Sequence, residues 1–323
     1  MLEIVAVSAS AQRVCAPRST GLRGLTLVLL ALCLGGCAWL DAKQSQLALR
    51  PTPGRPASVP ADDQLFRPGD ERWLLPVPPT RIASAPALDA SARPDGLALW
   101  WLPNPDASAP TLLYLHGTFR NLYLNLPKIN ALRDAGFNVL AVDYRGWGDS
   151  TFIVPDEETI ATDTRAAWAE LQRRQPQADR RVIFGHSMGG AVAVRLASTL
   201  KWQHDYGALV VESSFSRMPD VAAEAGFWGR VAAGLTTLQF DALARMPLVD
   251  APVLLLHGSA DRTVPVALGR RLRDVALQAQ PAPGRVRWIE FPGGTHSQLH
   301  TEFKDLYTDT FRNVAQALPK SQP

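Results

Sequence analysis

The stretch Val182-Ile183-Phe184-Gly185-His186-Ser187-Met188-Gly189-Gly190 is an apolar run of strand length that ends in a glycine-flanked serine. The segment that follows, from Ala191 to Leu200, is small and apolar nearly all round. A strand, a turn too tight for side chains beside the serine, and a helix packed under a sheet account for this order. Outward from it, strand-length apolar runs recur at Leu97–Leu102, Leu112–Leu115, Asn138–Val142, Ala208–Val211, Val253–Leu256 and Val286–Phe291. Runs apolar on both faces fit strands covered by helices on each side. The stretches between them have helical length. Pro127 suits a first turn, Ile129 and Leu132 share a face, and Gly136 sits at a stop. Ile160, Ala167, Trp168 and Leu171 repeat at helical spacing. The pattern predicts an α/β fold with a doubly wound, mostly parallel sheet.

Residues 215–252 interrupt the alternation and carry Phe227, Trp228, Leu235, Leu238 and Phe240. Two readings share this pattern: a helical connection packed on the core, or a short helical cap that contacts an acyl chain.

Ser187 on such a turn is a candidate nucleophile, because the helix amino terminus behind it favours developing negative charge. A serine needs a base to take its proton. His296 fits, in Phe291-Pro292-Gly293-Gly294-Thr295-His296 after the final apolar run. The base needs a carboxylate to fix its tautomer, and Asp261 fits, just past Val253–Leu256. Glu212 is the alternative acid. All of these lie at carboxyl ends of strands, where open α/β sheets place their sites. A developing oxyanion needs two donors. The backbone N–H of Met188 is one candidate and that of Thr118, after Leu112–Leu115, is the other.

His116 and His257 begin His-Gly turns and read as loop-shaping, as do Asp143 and Asp149. His296 and His300 are spaced for one helix face, but no third ligand accompanies them. No metal and no organic cofactor is expected. Net charge is +3, from 33 Lys and Arg against 30 Asp and Glu, with no dense basic block. A nucleic-acid partner is therefore not expected. The three cysteines, Cys15, Cys33 and Cys37, precede the catalytic region, which excludes thiol chemistry and a disulfide framework there.

These motifs together resemble the α/β-hydrolase family, in particular the small-cap branch of Bem46-like, serine-aminopeptidase-like and lysophospholipase-like hydrolases. The resemblance covers about residues 96–316. It rests on His116-Gly117, Asp143-Tyr144-Arg145-Gly146-Trp147-Gly148-Asp149-Ser150, Gly185-His186-Ser187-Met188-Gly189-Gly190, the Asp261 turn and the His296 loop. It implies a nucleophile at Ser187, acid at Asp261, base at His296 and oxyanion donors at Thr118 and Met188. It departs at Thr118-Phe119-Arg120, where Bem46-like members tend to carry a smaller loop.

The amino terminus reads as an address. Arg18 and Arg23 precede the apolar run Leu25–Leu34, which has the length of a signal-peptide core. Leu34-Gly35-Gly36-Cys37 resembles the lipobox of bacterial lipoproteins, which implies a lipid on Cys37. An uncleaved anchor running on through Leu40 is the alternative. The expected layout is a signal peptide over residues 1–37, a Pro-rich tether over 38–70 and a hydrolase domain over 71–323. The expected location is the bacterial cell envelope, on the periplasmic face of a membrane. Three functions follow in order: hydrolysis of an ester or thioester of a small acyl or lipid-like substrate, a peptidase of the aminopeptidase-like kind, and a membrane-tethered binding protein on a hydrolase scaffold.

Overall fold

In a computed structural model of the chain, residues 41–79 and 95–319 are described. Of two units in the chain, the larger begins at residue 42 and holds all but the first of the described residues. Cys37, the lipobox and the signal segment lie outside the described residues.

The larger unit is built on an eight-stranded sheet of order β1-β2-β4-β3-β5-β6-β7-β8. Its strands are β1 (Glu71–Val77), β2 (Asp95–Leu102), β3 (Thr111–Leu115), β4 (Asn138–Asp143), β5 (Arg181–His186), β6 (Ala208–Glu212), β7 (Val253–Gly258) and β8 (Val286–Phe291). The six strands from β3 to β8 run parallel to one another, and β2 runs antiparallel to both β1 and β4. All seven apolar runs are strands. The eighth, β1, holds Trp73-Leu74-Leu75, part of a segment too mixed in sequence to count as a run.

Alternate residues of the central strands feed two separate cores. Leu113, Leu115, Leu140, Val142, Ile183, Leu209 and Leu255 face one. It is covered by α2 (Glu157–Arg174), α3 (Met188–Ala197) and α6 (Val266–Ala279). Leu112, Tyr114, Val139, Ala141, Val182, Phe184 and Val210 face the other. That side is covered by α1 (Leu122–Asp134) and α7 (Lys304–Ala317). This is why the runs are apolar throughout: neither face of the sheet sees water.

Helix α1 starts five residues before Pro127, which lies inside it. Its first turn is held from outside, by the Asp143 carboxylate accepting from Leu122 N–H at 2.9 Å. Gly136 does end it, at φ 109°. The 215–252 excursion leaves from the carboxyl end of β6 and forms α4 (Met218–Ala223) and α5 (Phe227–Leu235). Phe215, Leu238 and Phe240 at its two ends are buried, while Phe227, Trp228 and Leu235 in its middle are exposed.

The expected tether needs correction. Residues 41–49 are helical, and Leu49 is fully buried in the first core. Residues 52–54 are stitched to the domain. Gly148 N–H donates to the Thr52 carbonyl at 2.9 Å and Gly54 N–H to the Gly148 carbonyl at 2.6 Å. Prolines remove N–H groups but leave carbonyls to accept, so a Pro-rich segment can dock through its oxygens. Over its described part, this segment is an arm lying on the domain.

Candidate active site

The β5 strand delivers Ser187 to the mouth of a turn whose geometry is strained. Ser187 has φ 57° and ψ −123°, outside the regions that side-chain-bearing residues favour. A Cβ on Gly185 would collide with the Gly189 carbonyl oxygen, and one on Gly189 with the Leu115 carbonyl oxygen. The turn is locked by Ser187 N–H donating to the Glu212 carbonyl at 2.9 Å and Ser214 Oγ donating to the Ser187 carbonyl at 2.8 Å.

Ser187 Oγ lies 3.0 Å from His296 Nε2, and His296 Nδ1 lies 2.7 Å from Asp261 Oδ2. The three residues come from the ends of β5, β7 and β8, separated by up to 109 positions. Asp261 is buried and well partnered. Its Oδ1 accepts from the N–H groups of Thr263 at 2.9 Å and Val264 at 2.8 Å. Burial pushes its carboxyl up, but hydrogen bonds with His257 and His296 outweigh burial and hold it below the usual carboxylate range. Asp261 is thus an anion where the His296 ring can use one.

Glu212, the alternative acid, is engaged elsewhere. Its carboxylate is ion-paired with Lys128 and accepts from Tyr307 OH at 2.7 Å. No contact joins its side chain to His296, and it forms part of a buried support beneath the turn.

The two oxyanion candidates sit on either side of Ser187. Met188 opens α3. Gly117 lies over the serine: a Cβ there would be 2.8 Å from Ser187 Cβ and 3.3 Å from Oγ. His116 Nδ1 lies 2.6 Å from the Gly117 carbonyl oxygen, and donates to it. In a trans peptide the C=O and the next N–H point oppositely. That bond therefore turns the Thr118 N–H away from the His116 ring. The loop is held from behind by Asn121, which donates to the carbonyls of Thr52 at 3.1 Å and Gly54 at 2.8 Å. The residue following Thr118, Phe119, takes φ 69°, so its bulk is turned outward and it is partly exposed.

Several supporting residues escaped the sequence reading. His257 Nε2 is 3.3 Å from Asp261 Oδ2 and 2.9 Å from the Val264 carbonyl. Its four-residue spacing from Asp261 was the available signal. His186 donates from Nε2 to the His296 carbonyl at 3.0 Å, so the residue before Ser187 braces the His296 loop. Burial, with the charge of Lys128 next, holds the His186 ring neutral. His300 is buried, not on the surface, with no hydrogen-bond partner at Nδ1. Asp143 and Asp149 fix loops as expected: Asp149 accepts from Tyr123 OH at 2.7 Å, and Asp143 accepts from Leu122 N–H. Among the described residues no group of three or more His, Cys, Asp or Glu is arranged to hold a metal ion. A cavity of about 390 Å³ lined by Trp202, Leu209, Val253 and Arg287 opens at the amino ends of β6 and β7, at the far end of the strands from Ser187.

Known proteins share this arrangement of chain. The family described as serine aminopeptidase, S33, matches residues 106–233. An uncharacterized protein of Mycobacterium tuberculosis is 33% identical over 207 residues, covering 63% of this chain and 69% of its own. The chain belongs to the α/β-hydrolase family. Other α/β-hydrolase relatives include Protein ABHD12B of Homo sapiens, 32% identical over 59% of this chain and 56% of its own. Lysophosphatidylserine lipase ABHD12 of Danio rerio is 30% identical over 60% of this chain and 54% of its own. The chain thus spans little more than half the length of these two relatives. Among solved structures, an esterase of Pyrococcus furiosus superposes with a TM-score of 0.61 at 19% identity, over 82% of this chain and 97% of its own. The α/β-hydrolase fold is common to both.

Proposed function

We propose that the protein is a serine hydrolase that cleaves a carboxylic ester or thioester of an acyl or lipid-like substrate. The observation that carries this reading is the hydrogen-bonded chain from Asp261 through His296 to Ser187, at 2.7 and 3.0 Å. Ser187 Oγ attacks the acyl carbonyl carbon while its proton passes to His296 Nε2. The carbonyl oxygen gains negative charge and accepts from the N–H groups of Met188 and Thr118. The intermediate collapses, and the leaving alcohol or thiol takes the proton from His296. Water then attacks the acyl-enzyme, giving its proton to His296, and the acid departs as Ser187 regains its proton. Asp261 stays ionised throughout and fixes the His296 ring.

Relatives described as a lysophosphatidylserine lipase and fold neighbours described as esterases support an ester substrate. The peptidase reading draws on the description of the matched family. It needs a free carboxylate for a substrate amine, and Glu212, the buried acid whose backbone carbonyl accepts from Ser187 N–H, has its carboxylate taken by Lys128 and Tyr307. As part of the same proposal, the protein is anchored in a bacterial envelope membrane by lipid on Cys37. Among the described residues no helix is long and apolar enough to cross a membrane.

The test is hydrolysis of p-nitrophenyl esters of short and long acyl chains, beside aminoacyl p-nitroanilides. Ester turnover is expected, lost at least about 10³-fold in Ser187→Ala with an unchanged melting temperature. Turnover of the anilides alone would favour the peptidase. Failure of a fluorophosphonate to label Ser187 would sink both.

A further inference from the structure

Helix α5 is turned inside out. Phe227, Trp228, Val231 and Leu235 recur at the spacing of one helical stripe, which in a water-soluble domain faces the core. Here they are exposed at 63%, 76%, 42% and 69%. The opposite side packs on α4 through small residues: a Cβ on Gly229 would strike the Ala222 carbonyl oxygen, with Ala225 Cβ at 2.9 Å. The helix is thus fixed to the domain by its small face and offers its large apolar face outward.

The patch does not end with α5. Gln44, in the arm, donates to the Leu235 carbonyl at 3.2 Å and accepts from Thr237 N–H at 3.4 Å. One turn on, Leu47 is 72% exposed. Next along the arm, Arg50 lies 4.9 Å over the ring of Phe119, itself partly exposed and two residues from Gly117. Apolar side chains therefore lead from α5 across the arm to the loop above Ser187. Lys43 and Arg230 are exposed beside them, as cations beside the apolar face of an interfacial helix would be.

We propose that this face docks on a lipid bilayer, with α5 lying in the headgroup boundary and Leu47 beside it. The length of chain before the arm argues for a bilayer over other occupants. The arm is helical from its first described residue, 41, and only three residues separate that residue from Cys37. An extended chain spans at most about 3.5 Å per residue, so an anchor at Cys37 keeps Ala42 within about 18 Å of the membrane. An uncleaved anchor running through Leu40 gives a still shorter reach. With so few residues between that anchor and the arm, the arm's own face of the domain is the one held against the lipid. That face carries the apolar stripe. The inference rests on the anchor in the reading above and is independent of the chemistry at Ser187.

The experiment uses the full chain in phosphatidylcholine vesicles. Brominated phosphatidylcholine quenches tryptophans that reach the acyl boundary, and the chain has nine. Trp228→Phe keeps the face apolar and removes one fluorophore, so the difference between the two proteins reports Trp228 alone. The expected result is that part of the quench disappears in Trp228→Phe. An identical quench in both overturns the proposal, whether a second copy of the chain or residues 1–40 cover the face instead. As a second arm, Phe227→Ser/Trp228→Ser/Leu235→Ser should lower turnover of a vesicle-borne long-chain monoacyl ester about tenfold or more. The same variant should turn over p-nitrophenyl acetate within about twofold of the parent. Equal effects on both esters overturn the docking role. Absence of all ester turnover overturns the catalytic reading, and the quench still decides the docking.

Discussion

Gly117 leaves no room for a methyl group above the serine. Its Cβ would sit 2.8 Å from Ser187 Cβ, where backbone and side chain would both have to move. A shift of about 1 Å in an aligned site costs on the order of 10²-fold in rate. Gly117→Ala is therefore expected to lower kcat on p-nitrophenyl esters about 10²-fold with little change in melting temperature. An alanine variant with parental kcat would remove Gly117 from the site. At this scale the sequence was informative where chemistry demands a particular side chain. Ser187, Asp261 and His296 each sit in a turn at the end of an apolar run, and chance seldom sets three such turns in that order. The bracing residues were less legible. His186, His257 and Asn121 act by hydrogen bonds to partners far along the chain, and nothing local marks a histidine or an asparagine as a brace.

The arm shows where composition misleads about an element. Its prolines speak against regular structure, yet Leu49 is fully buried and Thr52 and Gly54 offer carbonyls to Asn121 and Gly148. Propensity reports what a segment does alone, and this one is held by partners roughly 70 to 100 residues on. Truncating a buried leucine in a well-packed core costs about 2–5 kcal/mol. Leu49→Ala is expected to lower the unfolding free energy of the full chain by that amount, read from urea denaturation. A loss below about 0.5 kcal/mol, the usual range for surface positions, would return the segment to the status of a tether. The strands were the opposite case: burial on both faces gives a run that needs no partner to be recognised. Helix α5 was ambiguous for a physical reason, since a stripe at helical spacing specifies that one side is apolar and leaves open what meets it.

Acid stability belongs to the whole molecule, because the buried imidazoles act together. Burial lowers the His300 and His116 rings to about 4 and holds His186 well below its ordinary value. Asp143, 3.4 Å from His116, is pushed up by burial and takes the opposite sign. Between about pH 4 and 6.5 the unfolded chain binds protons at these three histidines that the native one refuses, so stability falls as pH falls. The raised Asp143 carboxyl binds its proton more tightly in the native state than in the unfolded one, and so works against His116. His186 and His300 carry the remainder. The denaturant midpoint is expected to drop steadily from pH 7 to pH 4.5, and to drop less steeply in His300→Phe. A midpoint independent of pH, or an unchanged slope in that variant, contradicts the assignment.

The strained turn at Ser187 has a consequence for descent. A left-handed φ costs a residue with a Cβ about 1–2 kcal/mol and costs glycine almost nothing. Gly185 and Gly189, by contrast, cannot change without a collision with backbone. If selection for chemistry were relaxed, the serine would be the easiest position in the turn to lose, and its loss would make the protein sturdier. The glycines would persist as the record of a reaction no longer performed. A relative that keeps all of them around a glycine at position 187 should be read as a retired enzyme with an intact frame.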